Sequence, residues 1–353
     1  MKKNLFLKGT AIGLCMAMLT ACGASGAATS SSASSADTQT SAAAKDGVTT
    51  LKVGVPAPAG SFQFDVLTTL NENLQEVSGG TMNLDIAAGG ALGNTAAHYS
   101  QMAQGTLDLF CTGFDTAPAM KNADDFSVVT VPFLFNDLDH YKKFLDSDVL
   151  QGMIDKVAEP NGVVFGGVIS DQAPRALTTT NKPIRTVDDV KNLKIRCPES
   201  PSIVGVWTAM GANPQVISGG ELFSALQSGQ VDGQDNDLIN SYTSSFSEVQ
   251  KYFMPLDYVY SDLILWMSKA TADSLTEEQM TYYNDAVSKT YEQMSDKVWN
   301  ELYANDLQAF QDEGVEVIEV DKDSFRAVAE QYANEQDGKA WSAGLYQQIR
   351  DLA

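Results

Sequence analysis

At 353 residues the chain is large for one hydrophobic core, so two lobes are expected. Its 45 acids against 23 bases give a formal net charge of −22, which argues against nucleic acid or an anionic membrane surface as partner. Four scattered cysteines do not make a disulfide framework.

Residues 1–21 read as a signal peptide. Lys2, Lys3 and Lys8 form a basic start, and Ala11–Leu19 is an apolar core too short to span a bilayer as a mature helix. Leu19-Thr20-Ala21-Cys22 resembles a bacterial lipobox, with Cys22 as the acylated first residue of the mature protein. An ordinary cleaved signal with an incidental cysteine is the alternative. A diacylglycerol plus an amide-linked chain would anchor the protein where a single acyl chain would not. Residues 22–47 are mostly Ala, Ser, Thr and Gly; they cannot bury a core and are expected to form a flexible tether. Removing residues 1–21 removes three lysines and no acids, so the formal charge moves from −22 to −25. An anionic ligand would need arginines held locally against that background. Cys15 leaves with the signal; Cys111 and Cys197 remain, each expected as a small buried residue beside a strand end.

From Val48 the composition becomes globular. Leu51, Val53 and Val55 alternate as a strand ending at Pro56; Leu67, Leu70, Leu74 and Val77 mark a helix face stopped by Gly79-Gly80. Met82, Leu84 and Ile86 make a second strand, 94–104 a helix, and 107–111 and 163–168 further strands. Such alternation implies an α/β fold with a mostly parallel sheet covered by helices. The loops 56–61, 89–94 and 112–116 follow strands and are placed to line a cleft. Arg175 lies in a short strand pattern, and Thr186 with Asp189 forms a capping box for a short helix.

The stretch 193–240 is the most informative. Leu193 and Ile195 alternate as a strand that Arg196 closes, and Pro198 bars a helix directly before it. Ile203, Val206, Trp207 and Met210 share a helix face ended by Gly211. Leu222, Phe223 and Leu226 mark another helix, opened by Gly219-Gly220-Glu221 and closed by Gly229. Val231-Asp232-Gly233 reads as a short strand running into a polar loop at Asn236. Arg196 and Asn236 then both lie at carboxyl ends of strands, where open α/β sheets bind ligands. The bland alternative for Arg196 is a surface salt bridge to an acid such as Glu199.

Thr276 to Gly314 is one long helical pattern, opened by a Thr276/Gln279 capping box. Met280, Tyr283, Val287, Tyr291, Met294, Val298 and Leu302 recur at three- and four-residue steps. At 1.5 Å per residue the rod is roughly 55 Å, longer than one small lobe is wide. A coiled coil or a broken helix pair would fit the same pattern. Residues 315–320 read as a strand and 323–349 as one or two closing helices.

Catalytic constellations are scarce. His98 and His140 lie in helical patterns with no HExxH, and there is no GxSxG, CxxC or P-loop. The run from Asp232 to Asp237 superficially resembles a calcium loop, but glycine is not sixth and Thr243 stands where the bidentate glutamate belongs. The reading is no enzyme, no metal and no cofactor. What remains is binding, for which arginine offers a planar fork matching a carboxylate.

Four motifs in order, VPFLFNDLDH at 131–140, LKIRCPES at 193–200, GANP at 211–214 and GELFSALQSGQVDGQDN at 220–236, carry a resemblance. From about Thr50 to the C-terminus the chain resembles the solute-binding proteins of TRAP (tripartite ATP-independent periplasmic) transporters, the DctP family. The resemblance implies a two-lobed, periplasmic-binding-protein-like α/β fold with a long helix spanning both lobes. Lobe 1 would take 48–172 with 259–290 and lobe 2 173–258 with 291–353, joined near Ser170–Arg175 and Tyr258–Asp262. By the same resemblance Arg196 clamps the carboxylate of a small organic or sugar acid, Arg175 adds a second positive contact and Asn236 a polar one. The partners implied are the small and large membrane subunits of a TRAP permease. The protein would deliver its ligand to them while exported and lipid-anchored at the outer face of the cytoplasmic membrane. Gly219 departs from the pattern, since many relatives have an aromatic residue there; this favours a bulkier or more hydroxylated acid over a small dicarboxylate. A sensor lipoprotein, or the binding protein of an ATP-driven importer, would share the anchor and tether. An exported hydrolase would need a nucleophile or metal set that the sequence does not offer.

Overall fold

A computed structural model describes residues 47–353; the expected signal segment, the expected tether up to position 46 and Cys22 lie outside the described residues. Strand β1 (Thr49–Gly54) pairs in parallel with β2 (Met82–Ala87) and β3 (Leu109–Thr112). The helix Phe62–Val77 connects the first two. Ser61 caps it by accepting from the Phe64 N–H at 3.4 Å, and Phe62, Val66, Leu67, Leu70 and Leu74 form its buried face. Gly79 and Gly80, at φ 61° and 83°, turn the chain where a side chain would be strained. Strand β4 (Val163–Asp171) then brings the chain to the end of this sheet.

Residues 172–174 cross to a second sheet. There β5 (Arg175–Thr179), β6 (Lys194–Cys197), β7 (Asn213–Val216), β8 (Gly233–Asp237) and β9 (Tyr252–Met254) follow in sequence. Residues 255–261 cross back, and β10 (Asp262–Ser268) enters the first sheet between β3 and β4, antiparallel to both. The crossings are tied together: Gln172 N–H donates to Ser261 O and Arg175 N–H to Val259 O, each at 3.0 Å. The short β11 (Glu316–Val317) completes the second sheet, in the order β11-β9-β5-β8-β6-β7.

Both sheets are mixed: β1, β2, β3 and β4 run the same way, as the alternation predicts, and the returning β10 opposes them, while in the second sheet β5 opposes β8 and β9. The returning strand starts at the end where β4 stops, so it must run against its neighbours. The expected strand at 315–320 is only Glu316–Val317. The polar run near Asn236 is not a loop but β8 itself. Its buried polar side chains find partners inside the fold: Gln234 donates to Thr178 Oγ1 and Ser241 Oγ, each at 3.0 Å.

The long helix is continuous and serves both lobes. Glu277–Lys297, opened by the Thr276/Gln279 capping box, packs on the helix Phe62–Val77 and on β4. A π-helical turn, Val298–Leu302, leads into Tyr303–Asp312, where Phe310 meets Phe253 of β9 at 6.0 Å between ring centroids. At that turn Trp299 Nε1 reaches the buried Asp171 at 2.6 Å. Asp171 also takes the Tyr291 hydroxyl at 2.9 Å and Lys142 at 3.3 Å. Its cross-strand neighbour Asp262 is equally buried, yet neither of its oxygens has a hydrogen-bond partner among the described residues.

The helix Lys322–Gln336 packs on Pro201–Ala209 beside the second sheet. After it the chain returns. Trp341, Leu345 and Ile349 join the core of the first lobe, and Arg350 Nη1 donates to Leu134 O at 3.0 Å and Asn136 Oδ1 at 2.8 Å. The tail beyond Gln336 therefore packs with the core that carries Phe110, Phe126 and Trp266. Both histidines are buried packing residues: His98 stacks on Phe110 at 4.5 Å, and His140 Nε2 meets Ile349 O at 2.8 Å. Cys111 and Cys197 are buried and unpaired, one in each sheet.

Candidate functional site

Arg175 opens β5 directly after the first crossing, and Arg196 lies one residue from the end of β6. Between these strands runs β8, antiparallel to β5 and parallel to β6. This topology brings both guanidinium groups to one peptide carbonyl. Arg175 Nη2 donates to Asp235 O at 2.8 Å, and Arg196 Nη1 donates to the same oxygen at 3.4 Å. Arg196 Nε is occupied by Ile217 O at 2.8 Å. Arg196 is 6% exposed, forms no ion pair with Glu199 or any other acid among the described residues, and its Nη2 has no partner among them. Asn236 follows on β8 at intermediate exposure; its Oδ1 accepts from the Asp237 N–H at 3.0 Å, and its Nδ2 bonds to no described residue.

Asp235 is the fully buried hub of the arrangement. Its carboxylate accepts from Arg175 Nε, from the Tyr258 hydroxyl and, at 2.7 Å, from Trp207 Nε1. Asp235 thus ties together a residue at the first crossing, one in the second crossing and one on the helix after β6. Burial and then the Arg175 charge push the Arg196 guanidinium down to about 10. Burial works against the charge of Arg175 too, but Asp235 and Asp115 outweigh it and raise that group. Asp115 lies on the turn after β3. Burial raises its carboxyl above the usual range, while Arg175 and Arg196 pull it back down.

So the structure brings Arg175, Arg196 and Asn236 to one place at the carboxyl ends of β6 and β8. Sequence reasoning did not find Asp235, Trp207, Tyr258 or Asp115. Asp235 was within reach: it stands beside Asn236, and period-two alternation through 233–237 would have set it on the face opposite Asn236. Tyr258 and Asp115 come from other parts of the chain and carry no local signal.

The DctP family model, described as bacterial extracellular solute-binding protein, family 7, matches residues 53–338. The chain belongs to this family. It is a TRAP-type solute-binding protein, and members of the family bind solutes outside the cytoplasm rather than transform them. The sialic acid-binding periplasmic protein SiaP of Vibrio cholerae is 29% identical over 287 residues, covering 81% of this chain and 87% of the relative. A TRAP solute-binding protein from a Polaromonas species, solved bound to D-erythronate, is similar with a TM-score of 0.76 at 28% identity, covering 85% of this chain and 98% of that one. Another from Roseobacter denitrificans, with bound L-galactonate, has a TM-score of 0.77 at 25% identity, covering 86% and 98%.

Proposed function

We propose that this TRAP solute-binding protein captures an organic acid or sugar acid between its lobes and delivers it to the small and large membrane subunits of a TRAP permease. Arg196 receives the carboxylate on its Nη2 edge, Arg175 adds a second positive contact, and Asn236 donates from Nδ2. One observation carries the reading: two guanidinium groups converge on the Asp235 carbonyl while the outer edge of Arg196 stays unengaged. A buried cation with free donors is favourable only when an anion completes it. The acids bound by the Polaromonas and Roseobacter relatives, and the sialic acid in the name of the Vibrio relative, are carboxylates, which supports the same chemistry. Gly219 is exposed, and an added Cβ there would meet nothing within 4 Å.

We propose as well that residues 1–21 are removed as a signal peptide and that Cys22 becomes the lipid anchor, with the following segment as tether. The lipobox-like Leu19-Thr20-Ala21-Cys22 supports this. The test of ligand class is a calorimetric screen of the folded chain against organic acids, aldonates, uronates and matched neutral polyols. Saturable binding of acids alone is expected. Binding of neutral sugars or amines, and no acid, overturns the carboxylate reading.

A further inference from the structure

The motif VPFLFN at 131–136 takes no part in the site described above, yet it holds a strained residue. Leu134 N–H donates to Val131 O at 3.2 Å and closes a turn. Pro132 takes the second place of that turn and Phe133, at φ 62°, the third. Glycine or asparagine is usual there, because a larger side chain in the left-handed region is crowded by its own backbone. Packing explains the turn. Val131, Leu134 and Phe135 belong to the core that carries Phe126 and Trp266. Phe133 turns the other way and is buried in the core beside the second sheet, with Leu177, Trp207 and Tyr258.

Its contacts hold it there. The Phe133 N–H donates to Tyr258 O at 2.6 Å, and the two rings meet at 6.1 Å between centroids. Arg326, on the helix Lys322–Gln336, sets its guanidinium carbon 4.6 Å from the Phe133 ring centroid. Arg350 Nη1, in the C-terminal tail, donates to Phe133 O at 3.3 Å as well as to Leu134 O and Asn136 Oδ1. A strained backbone persists only where its surroundings over-determine it, and such residues cluster at functional sites. What Phe133 grips, by backbone and by ring, is Tyr258 in the second crossing. The Tyr258 hydroxyl ends on the Asp235 carboxylate, which also takes Trp207 Nε1 at 2.7 Å and Arg175 Nε. From the tail to the arginines the contacts run unbroken through Arg350, Phe133, Tyr258, Asp235 and Arg175.

We propose that Phe133 is a positioning residue for the anion site. It acts through Tyr258, whose hydroxyl orients the Asp235 carboxylate that holds Arg175, and Arg350 keeps Phe133 seated from the tail. This rests on the carboxylate reading above and adds to it residues that touch neither arginine.

A double-mutant cycle tests it by calorimetry with D-erythronate, L-galactonate and the other acids of the screen. Phe133→Leu keeps apolar bulk and the backbone bond but loses the ring that braces Tyr258. An aromatic pair corresponds to about 2- to 12-fold, so affinity should fall by that factor. Tyr258→Phe keeps the ring and loses the hydroxyl. On that background Phe133→Leu should cost less than about twofold, because the path is already cut. Arg350→Gln, at the far end of the path, should weaken affinity by a smaller factor, and it carries the test if Phe133→Leu does not fold. Equal losses from Phe133→Leu on both backgrounds, or full affinity in Phe133→Leu and Arg350→Gln alike, overturns the role of Phe133 while the carboxylate reading stands. The indole N–H resonance of Trp207, assigned with Trp207→Phe, reads the same path without ligand through its bond to Asp235. It should move in Phe133→Leu only when the Tyr258 hydroxyl is present. If no acid of the screen binds, the carboxylate reading fails and this resonance still decides: a signal unmoved by Phe133→Leu overturns the positioning role.

Discussion

Arg196→Lys keeps the positive charge and removes the fork, so it separates geometry from charge. Arg196 is 6% exposed, and its Nε and Nη1 already serve Ile217 O at 2.8 Å and Asp235 O at 3.4 Å. A lysine ammonium is a point donor and cannot hold two carbonyls and a carboxylate in one plane. Breaking a desolvated, doubly hydrogen-bonded charge pair costs about 2–5 kcal/mol, or roughly 30- to 4,000-fold in Kd. Charge adds to the loss. Burial and Arg175 bring the Arg196 guanidinium down to about 10, so it stays charged through neutral pH. A lysine amine starts from about 10.4 and is pushed the same way, so it begins to lose its proton near neutrality. Calorimetry with the best acid from the screen should show near-complete loss of binding in Arg196→Lys. The residual affinity should fall further between about pH 6 and about pH 8, where the unaltered protein changes little. Melting temperatures measured alongside separate lost binding from lost folding. A folded Arg196→Lys protein that binds within a few-fold of the original refutes the clamp, and the carboxylate must then be held elsewhere.

Arg175→Lys should weaken binding by less, on the order of tenfold, because Arg175 spends much of its fork on Asp235; a loss equal to that of Arg196→Lys in the same calorimetry would contradict this ranking. Asp262→Asn concerns stability: burial, and next the charge of Asp171, hold the Asp262 carboxyl well above its usual range. With Lys142 and Tyr141 as the other facing groups, its stabilising contribution is full below the unfolded value of about 3.9 and is lost as pH rises through the folded one. The variant should therefore melt higher than the original near pH 8 and vary less with pH; a lower melting temperature there rules the account out. Cys22→Ser should release the protein from membranes or leave its signal uncleaved, and intact mass without an acyl group on the unaltered protein would sink the anchor.

The first lobe was legible because its strands and helices bury apolar residues at regular steps. Leu51 and Val53 of β1 and Leu67, Leu70 and Leu74 are all core, as their spacing predicts, while Val77 at the end of that stripe is half-buried. The second lobe was harder around β8, whose central residues are polar and yet buried. A pattern of apolar alternation cannot see a strand whose side chains are satisfied by hydrogen bonds, so the strand reads as ending at Gly233 and the polar run at Asn236 as a loop. The arginines were singled out through motif and resemblance. Their convergence on one carbonyl depends on strand order, which no local spacing encodes. The return of Trp341, Leu345 and Ile349 to the first core was hidden for the same reason: an apolar face names no partner.

Strand order also sets what the site acts on. Arg175 is the first residue of the second sheet after one crossing, and its N–H is bonded to Val259 in the other. Tyr258, next to Val259, places its hydroxyl on Asp235, and the Asp235 carbonyl accepts from Arg196. Arginines, buried acid and both crossings thus form one hydrogen-bonded network. Asp235 has no exposed surface through which water could replace a lost partner, so its bonds are costly to break singly. An anion that draws the free edge of Arg196 outward therefore pulls on groups fixed to both connections between the sheets.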